Sequence, residues 1–281
     1  AYVRNYGELN LTVMWNFTTG GAVRSSPAVA DINGDGTLEV VVGSDDSVVY
    51  AVDGPSGSLL WSHTTGGPVK SSPSLADIDG DGDIDVVVGS NDGTVYALDG
   101  TTGDKIWDYT TGGGVESSPA LCDLDGDGGT DIVVGSKDGG VYALNGSTGG
   151  LLWVANLRSP VISSPAIGDI NGDGTNDVAI GCDDGRVYGL NGMTGEPLWW
   201  FYTLDSVRSS PVLCDLTGDA VPDVIVGSND GSLYCINGTS GNLIWRYDTY
   251  SPIMTCPALG LFDDDDVLDI VVVCNDSEVV V

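Results

Sequence analysis

The chain has 281 residues, and six periods of 46 account for 276 of them, so one array of repeats is expected rather than two domains. Forty-one acids against nine Lys plus Arg give a net charge of −32, which sets nucleic acid and anionic membrane surfaces aside as partners. A hydrophobic content of 41% with 42 Gly and seven Trp is enough for a core and rich in turns, and no apolar run approaches the roughly 20 residues that span a bilayer.

Ala1 begins without a basic-then-apolar signal segment, so a mature or trimmed soluble product is expected. Leu11 to Thr18 are predicted to form a fourth strand that lacks its own first three. Trp15, Trp61, Trp107, Trp153, Trp199 and Trp245 then recur at 46-residue spacing, and triplets beginning at Ser25, Ser71, Ser117, Ser163, Ser209 and Thr255 keep the same interval with no insertion. Within the second unit, residues 71–78, 83–90, 93–100 and 104–110 are predicted as four short strands separated by turn residues. Val86, Val87 and Val88 are apolar on both faces, as a strand must be when neighbouring sheets cover each side. Asn91-Asp92-Gly93 is tight-hairpin chemistry, because Asn and Gly accept positive φ. No segment shows helical periodicity. The expectation is therefore an all-β chain, a six-bladed β-propeller of four-stranded antiparallel blades. Because Val281 falls inside the third strand of unit 6, residues 11–18 are expected to complete the last blade with residues 255–281, beside Glu278 to Val281, closing residues 1–281 into one domain. The competing possibility is that this strand docks into another copy and gives a polymer.

Between the first and second strands of unit 1 lies DINGDGTLE, residues 31–39, with oxygen side chains at loop positions 1, 3, 5 and 9: Asp31, Asn33, Asp35 and Glu39. That alternation brings oxygens to one centre, and position 7, Thr37, adds a backbone carbonyl. Ca²⁺ wants six to eight such oxygens, Mg²⁺ tolerates a flexible cage less well, and zinc is disfavoured with one histidine and scattered cysteines. The pattern recurs as Asp77, Asp79, Asp81, Asp83, Asp85, then Asp123, Asp125, Asp127, Gly129, Asp131, then Asp169, Asn171, Asp173, Thr175, Asp177. Four strong Ca²⁺ sites are expected. Unit 5 offers Asp215, Thr217, Asp219, Val221 and Asp223, but Ala220 replaces the turn glycine and Thr217 is neutral, so a weaker site is expected. In unit 6, Leu261 replaces the first carboxylate, leaving Asp263, Asp265 and Asp269, and an empty or distorted site is expected. A halophile-type acidic surface accounts for the other acids equally well.

The loops resemble the calcium-binding FG-GAP repeats of integrin α-subunit propellers, four units matching closely and two imperfectly. The stretches Ala51 to Trp61, Ala97 to Trp107 and Ala143 to Trp153 resemble the tryptophan-docking repeat of quinoprotein (PQQ-type) propellers. Together the resemblances cover nearly the whole chain and imply a fold more than an activity. Quinoprotein enzymes have eight blades and usually a vicinal cysteine pair; here there are six units and no adjacent cysteines. His63 is expected at the surface, no nucleophile–histidine arrangement has support, and no enzymatic activity is expected.

Departures from the repeat carry further expectations. The interblade connections TTGG at 18–21, 64–67 and 110–113 give way in the later units to other residues, near Trp200, Tyr202, Tyr247 and Tyr250, a candidate ligand surface. Arg24, Lys70, Glu116, Ile162, Arg208 and Met254 share one repeat position and are expected around the central channel mouth, where three bases could draw an anion. Most of the six cysteines stand at small buried positions, with Cys256 and Cys274 roughly opposite each other and able to bridge. Sequons at Asn10, Asn16, Asn145, Asn237 and Asn275, with calcium loops, point to a secreted or cell-surface protein. The expected function is a calcium-stabilised extracellular binding or adhesion module for a protein or glycan. A subunit of a surface layer or fibre, assembled from copies of itself, is the alternative, and a quinoprotein-like enzyme the third.

Overall fold

The structure, a computed structural model, describes residues 13–261, 268–276 and 279–280. In unit 1, β1 (Ala28–Ala30), β2 (Glu39–Gly43), β3 (Val48–Asp53) and β4 (Leu59–Thr64) form one antiparallel sheet in sequential order. Units 2 to 5 repeat it, giving five four-stranded sheets; unit 6 contributes a three-stranded sheet from Ala258–Gly260, Asp269–Val273 and Val279–Val280. The described residues contain no helix. In each four-stranded sheet the pairing of the last two strands shifts by one residue, as at Ala51/Val52, next to the recurring tryptophan.

Apolar alternation on the second strand puts one set of side chains against the preceding sheet and the other against the following one. Five core clusters result, each lying between successive units. Val41, Val49, Ala51 and Trp61 of unit 1 meet Val86, Val88 and Leu98 of unit 2, and the same pairing recurs through unit 6. Tryptophan fastens the first four of these junctions: the indole Nε1–H of Trp61, Trp107, Trp153 and Trp199 donates to Gly100, Gly146, Gly192 and Gly238 of the next unit at 2.5 to 2.7 Å. Gly103 holds φ at +74° under the Trp61 ring, where a Cβ would lie 2.6 Å from the indole, so both conformation and space demand glycine there. Further inside, Ser26, Ser72, Ser118 and Ser164 donate their amides to the hydroxyls of Ser72, Ser118, Ser164 and Ser210 at 2.9 to 3.1 Å. The four junctions from unit 1 to unit 5 thus repeat the same contacts 46 residues on.

The N-terminal segment departs from its expected role. Trp15 donates to Gly54 O at 2.6 Å and Phe17 packs edge-on against Tyr50, so the segment lies where the fourth strand of a preceding unit would lie. Residues 13–18, however, form no strand, and the third strand of unit 6 pairs only with its second among the described residues. Residues 11 and 12, Glu278 and Val281 lie outside the described residues, and the expected closing ladder is not seen in the described part of the chain.

Candidate metal centres

Each first-to-second-strand loop is folded by its own carboxylates. In unit 1 Asp31 accepts the amides of Asp35 and Gly36 at 3.1 and 2.9 Å, Asn33 accepts that of Asp35 at 2.9 Å, and Asp35 accepts both the amide and hydroxyl of Thr37. The Thr37 hydroxyl and amide hold the Asp35 carboxyl below its usual range, as Thr175 does for Asp173. Asp77, Asp123 and Asp169 repeat the part of Asp31, each accepting two amides from its own turn. These bonds aim the remaining oxygens inward. Carboxylate oxygens of Asp77, Asp79 and Asp85 lie within 4.8 Å of one another, as do those of Asp123, Asp125 and Asp127, and those of Asp35, Glu39 and Asp53.

The ninth position is unlike the rest of the loop. It opens the second strand, so Glu39, Asp85, Asp131, Asp177 and Asp223 are all buried, at most 1% exposed. One oxygen caps the loop: Glu39, Asp85, Asp131 and Asp223 accept the amides of Ile32, Ile78, Leu124 and Leu216 at 3.0 to 3.2 Å. Asp131 Oδ1 and Asp177 Oδ2 are buried with no hydrogen-bond partner. Burial, followed by repulsion from Asp79, Asp81 and Asp77, pushes the Asp85 carboxyl up to about 6. Asp177 is likewise pushed up to about 6, and Asp131 upward, by burial first and the loop acids after it. A buried carboxylate beside two or three others, with an oxygen unpartnered, fits a cation in that space. Thr37, Asp83, Gly129, Thr175 and Val221 occupy the seventh loop position, where the sequence pattern expects a backbone carbonyl ligand.

The structure also brings in a residue that the loop pattern missed. Asp53 closes β3 and pairs across the ladder with Glu39. Its signal is the Asp or Asn before glycine at the same spacing, Asp53, Asp99, Asn145, Asn191 and Asn237, previously read only as part of the tryptophan-docking stretch. In unit 5 Asp215 still folds its turn, accepting Gly218, Asp219 and Ala220 amides, but Ala220 is held at φ +69°. Thr217 contributes its amide to Asp223 at 3.0 Å. In unit 6 Leu261 is exposed, and Asp263 and Asp265 lie outside the described residues.

Other expected features are redistributed. His63 is half-buried rather than at the surface: its Nδ1 lies 3.1 Å from Gly103 O and its ring packs on Tyr96, so it belongs to a blade junction. Cys256 and Cys274 are both free thiols, one exposed and one buried. The register Ala258↔Val271 sets Cys256 across from Val273, one residue out of step, and a one-residue step reverses the face. At the repeat position expected around a channel mouth each base already has an acid: Arg24 with Asp45 at 2.7 Å, Lys70 with Glu116 at 2.8 Å, an acid that Lys137 shares at 2.9 Å, and Arg208 with Asp183 at 2.8 Å. Burial would raise the Glu116 carboxyl, but the bonds from Lys70 and Lys137 outweigh it and bring it down to about 2. Among the sequons, Asn16 and Asn275 are exposed, while Asn145 and Asn237 hold turns through their side-chain oxygens; Asn10 lies outside the described residues. Trp200, Tyr202, Tyr247 and Tyr250 are exposed, Tyr202 beneath the Arg186 guanidinium at 4.5 Å.

A PQQ-like repeat family model described as outer membrane protein assembly factor BamB matches residues 12–177, 91–255 and 172–279 in overlapping passes. The chain belongs to this PQQ-like repeat family. Among solved structures it is similar to BamB from Moraxella catarrhalis, with 20% identity, a TM-score of 0.54, and 95% of this chain and 84% of that one covered. It is also similar to the computationally designed Ika8 protein (21% identity, TM-score 0.68, 92% of this chain and 70% of that one). Sqt1 of Saccharomyces cerevisiae is a third (17% identity, TM-score 0.70, 85% of this chain), and the chain spans 66% of its length. At these identities the likeness is one of fold. No curated protein matches the chain.

Proposed function

We propose that this member of the PQQ-like repeat family is a calcium-stabilised propeller that works outside the cell as a binding module for a protein or glycan. The observation that carries the metal reading is the buried ninth-position carboxylate, with Asp131 Oδ1 and Asp177 Oδ2 unpartnered beside acidic loops, of which that of unit 3 brings oxygens of Asp123, Asp125 and Asp127 within 4.8 Å of one another. A solvated turn gives no reason to bury a carboxylate without a donor, whereas a hard cation does. Asp31, Asn33, Asp35 and Glu39 with Asp53, and the matching residues of units 2 to 4, would hold it; the ion supplies positive charge that fixes the turn and is structural. Unit 5 is the weaker site. The FG-GAP-like spacing of the loops supports the same reading. Oxygen-only loops of this kind, with Kd of about 10⁻⁴ to 10⁻³ M, suit extracellular calcium, and the exposed sequon asparagines Asn16 and Asn275 suit export.

The binding role rests on the exposed aromatics Trp200, Tyr202, Tyr247 and Tyr250 on the outer strands and connections of units 4 and 5. No catalytic role is assigned to any residue. Calorimetric titration of chelator-treated protein with calcium tests the metal reading: saturable heat from at least the loops of units 1 to 4 is expected, and no heat overturns it. A glycan and protein-ligand screen of the wild type beside a Trp200→Ala, Tyr250→Ala variant tests the surface, since a ligand bound equally by both would place the binding face elsewhere.

A further inference from the structure

The eighth loop position holds Leu38, Ile84, Thr130, Asn176, Pro222 and Leu268, so unit 4 alone carries an amide side chain there. Asn176 Nδ2 donates to the Asp123 carbonyl of unit 3 at 3.1 Å. A carbonyl only accepts, which fixes the end of the amide that faces it. Asp123 is the first carboxylate of its loop, and Asn176 immediately precedes Asp177, the buried ninth-position carboxylate of the next. The Asp123 carbonyl shares one planar peptide with the Leu124 amide, which donates to Asp131 Oδ2 at 3.0 Å. That rigid peptide therefore lies between the two buried carboxylates that each keep an oxygen without a partner: Asp131 on its N–H side and, through Asn176, Asp177 on its C=O side. The buried Leu124 side chain makes a second link. A Cβ on Gly192 would lie 2.9 Å from Leu124 Cδ1, and the Gly192 amide donates to Asp177 Oδ1 at 3.3 Å while its carbonyl accepts Trp153 Nε1 at 2.6 Å. The two loops also line one cleft of about 410 Å³, with Asp123, Asp125, Asp169, Thr175 and Asn176 in its wall.

We propose that Asn176 is a positioning residue that couples the cation sites of units 3 and 4, so that filling either loop raises the affinity of the other. The pairing rests on the calcium reading of these loops and adds that two of them act together. Coordination through Asp131 fixes the Leu124 amide, hence the Asp123 carbonyl, hence Asn176 and the adjoining Asp177. The ordering needed by the second loop is then already made when the first is filled, which is positive coupling without any large movement. Two cations repel and so work against it. That repulsion is screened over about 8 Å at physiological ionic strength, whereas a path of bonds is not screened. The path stops at unit 5, where Pro222 has no side-chain donor to offer at the same position.

Amide exchange followed by mass spectrometry against calcium concentration, at about 0.15 M salt, reads each loop separately: residues 123–131, residues 169–177 and, as a control, residues 77–85. Asp177→Asn should abolish the response of 169–177 and raise the calcium midpoint of 123–131 by about fivefold, with 77–85 unmoved. Electrostatics alone gives the opposite sign, because Asp169 and Asp173 without a cation leave the variant loop more negative than the filled wild-type loop. Coupling is reciprocal, so Asp131→Asn should shift 169–177 by the same factor. Asn176→Leu changes no charge and installs the residue that unit 1 carries as Leu38. It should raise the midpoints of 123–131 and 169–177, leave 77–85 alone, and remove most of the effect of Asp177→Asn on 123–131. A 123–131 midpoint unchanged in Asp177→Asn, or a shift shared by 77–85, would overturn the proposal while leaving calcium binding in place. Absence of calcium-dependent protection in every loop of the wild type would remove the calcium reading and this pairing with it.

Discussion

In unit 4, Asp177 is fully buried, one oxygen accepts the Gly192 amide at 3.3 Å, and the other has no partner. In unit 5, Asp223 is as deeply buried, yet it accepts four donors: the amides of Leu216 and Thr217 at 3.0 Å, Asn237 Nδ2 at 3.2 Å and the Gly238 amide at 3.4 Å. The fifth loop supplies internal donors where the fourth leaves an oxygen without one, at the same place in the fold. The contrast teaches that loop spacing alone does not fix whether a buried carboxylate depends on metal; the count of donors around it does.

The largest expected effect follows from removing calcium altogether. At a hundredfold excess over Kd each site contributes about 2.7 kcal/mol, so loss of four sites should lower Tm by on the order of 20 °C in scanning calorimetry. An unchanged Tm on chelation would place all five loops in the self-sufficient class of unit 5. The two carboxylates can then be separated by substitution. Asp177→Asn should cost about 2 to 3 kcal/mol in calcium and nothing, or less than nothing, in chelator, because it removes an unpaired buried charge. Asp223→Asn should cost about 1 to 3 kcal/mol in both conditions, since an amide NH₂ then faces the Leu216 and Thr217 amides. Urea unfolding with and without calcium measures all four values, and equal calcium dependence in the two variants would erase the distinction.

pH sharpens the same comparison with a smaller amplitude. The Asp85 and Asp177 carboxyls are raised to about 6, so without metal they favour the folded state only while protonated. In chelator, stability should therefore be highest in acid and fall as pH rises through about 6. Calcium competes with that proton and should flatten the profile between about pH 5 and 7. A Tm that rises across this range in chelator would show these groups ionised throughout. The smallest effect concerns Ala220, whose φ of +69° is a conformation that costs a residue with a Cβ about 1 to 2 kcal/mol. Ala220→Gly should stabilise the chain by about 1 kcal/mol, a few degrees in Tm, and bring calcium affinity of the fifth loop closer to that of the fourth.

Much of the site was legible because the repeat is rigid in length. Asp31, Asn33, Asp35 and Glu39 alternate around a turn, and the structure brings the Asp77, Asp79 and Asp85 equivalents of that set within one ligand shell. Asp53 escaped because it comes from a different strand, reaching the loop only through the Glu39↔Asp53 pairing. His63 was misplaced for a related reason: a strand-end histidine looks solvent-exposed until the neighbouring sheet supplies Tyr96 and Gly103. The Cys256 and Cys274 error was a single step of register, and with a side-chain period of two a single step is decisive.

The sequence by itself determined the 46-residue register, the four strands of units 1 to 5, the recurring tryptophan and the positions of the loop oxygens. These follow from local rules, turn chemistry and alternation, that act within a few residues and repeat because no insertion disturbs them. Only the tertiary structure decided which buried carboxylates found internal donors and which thiol faced outward. Those outcomes depend on the face that a neighbouring sheet presents, and packing between sheets is set by shapes brought together from residues 46 positions apart.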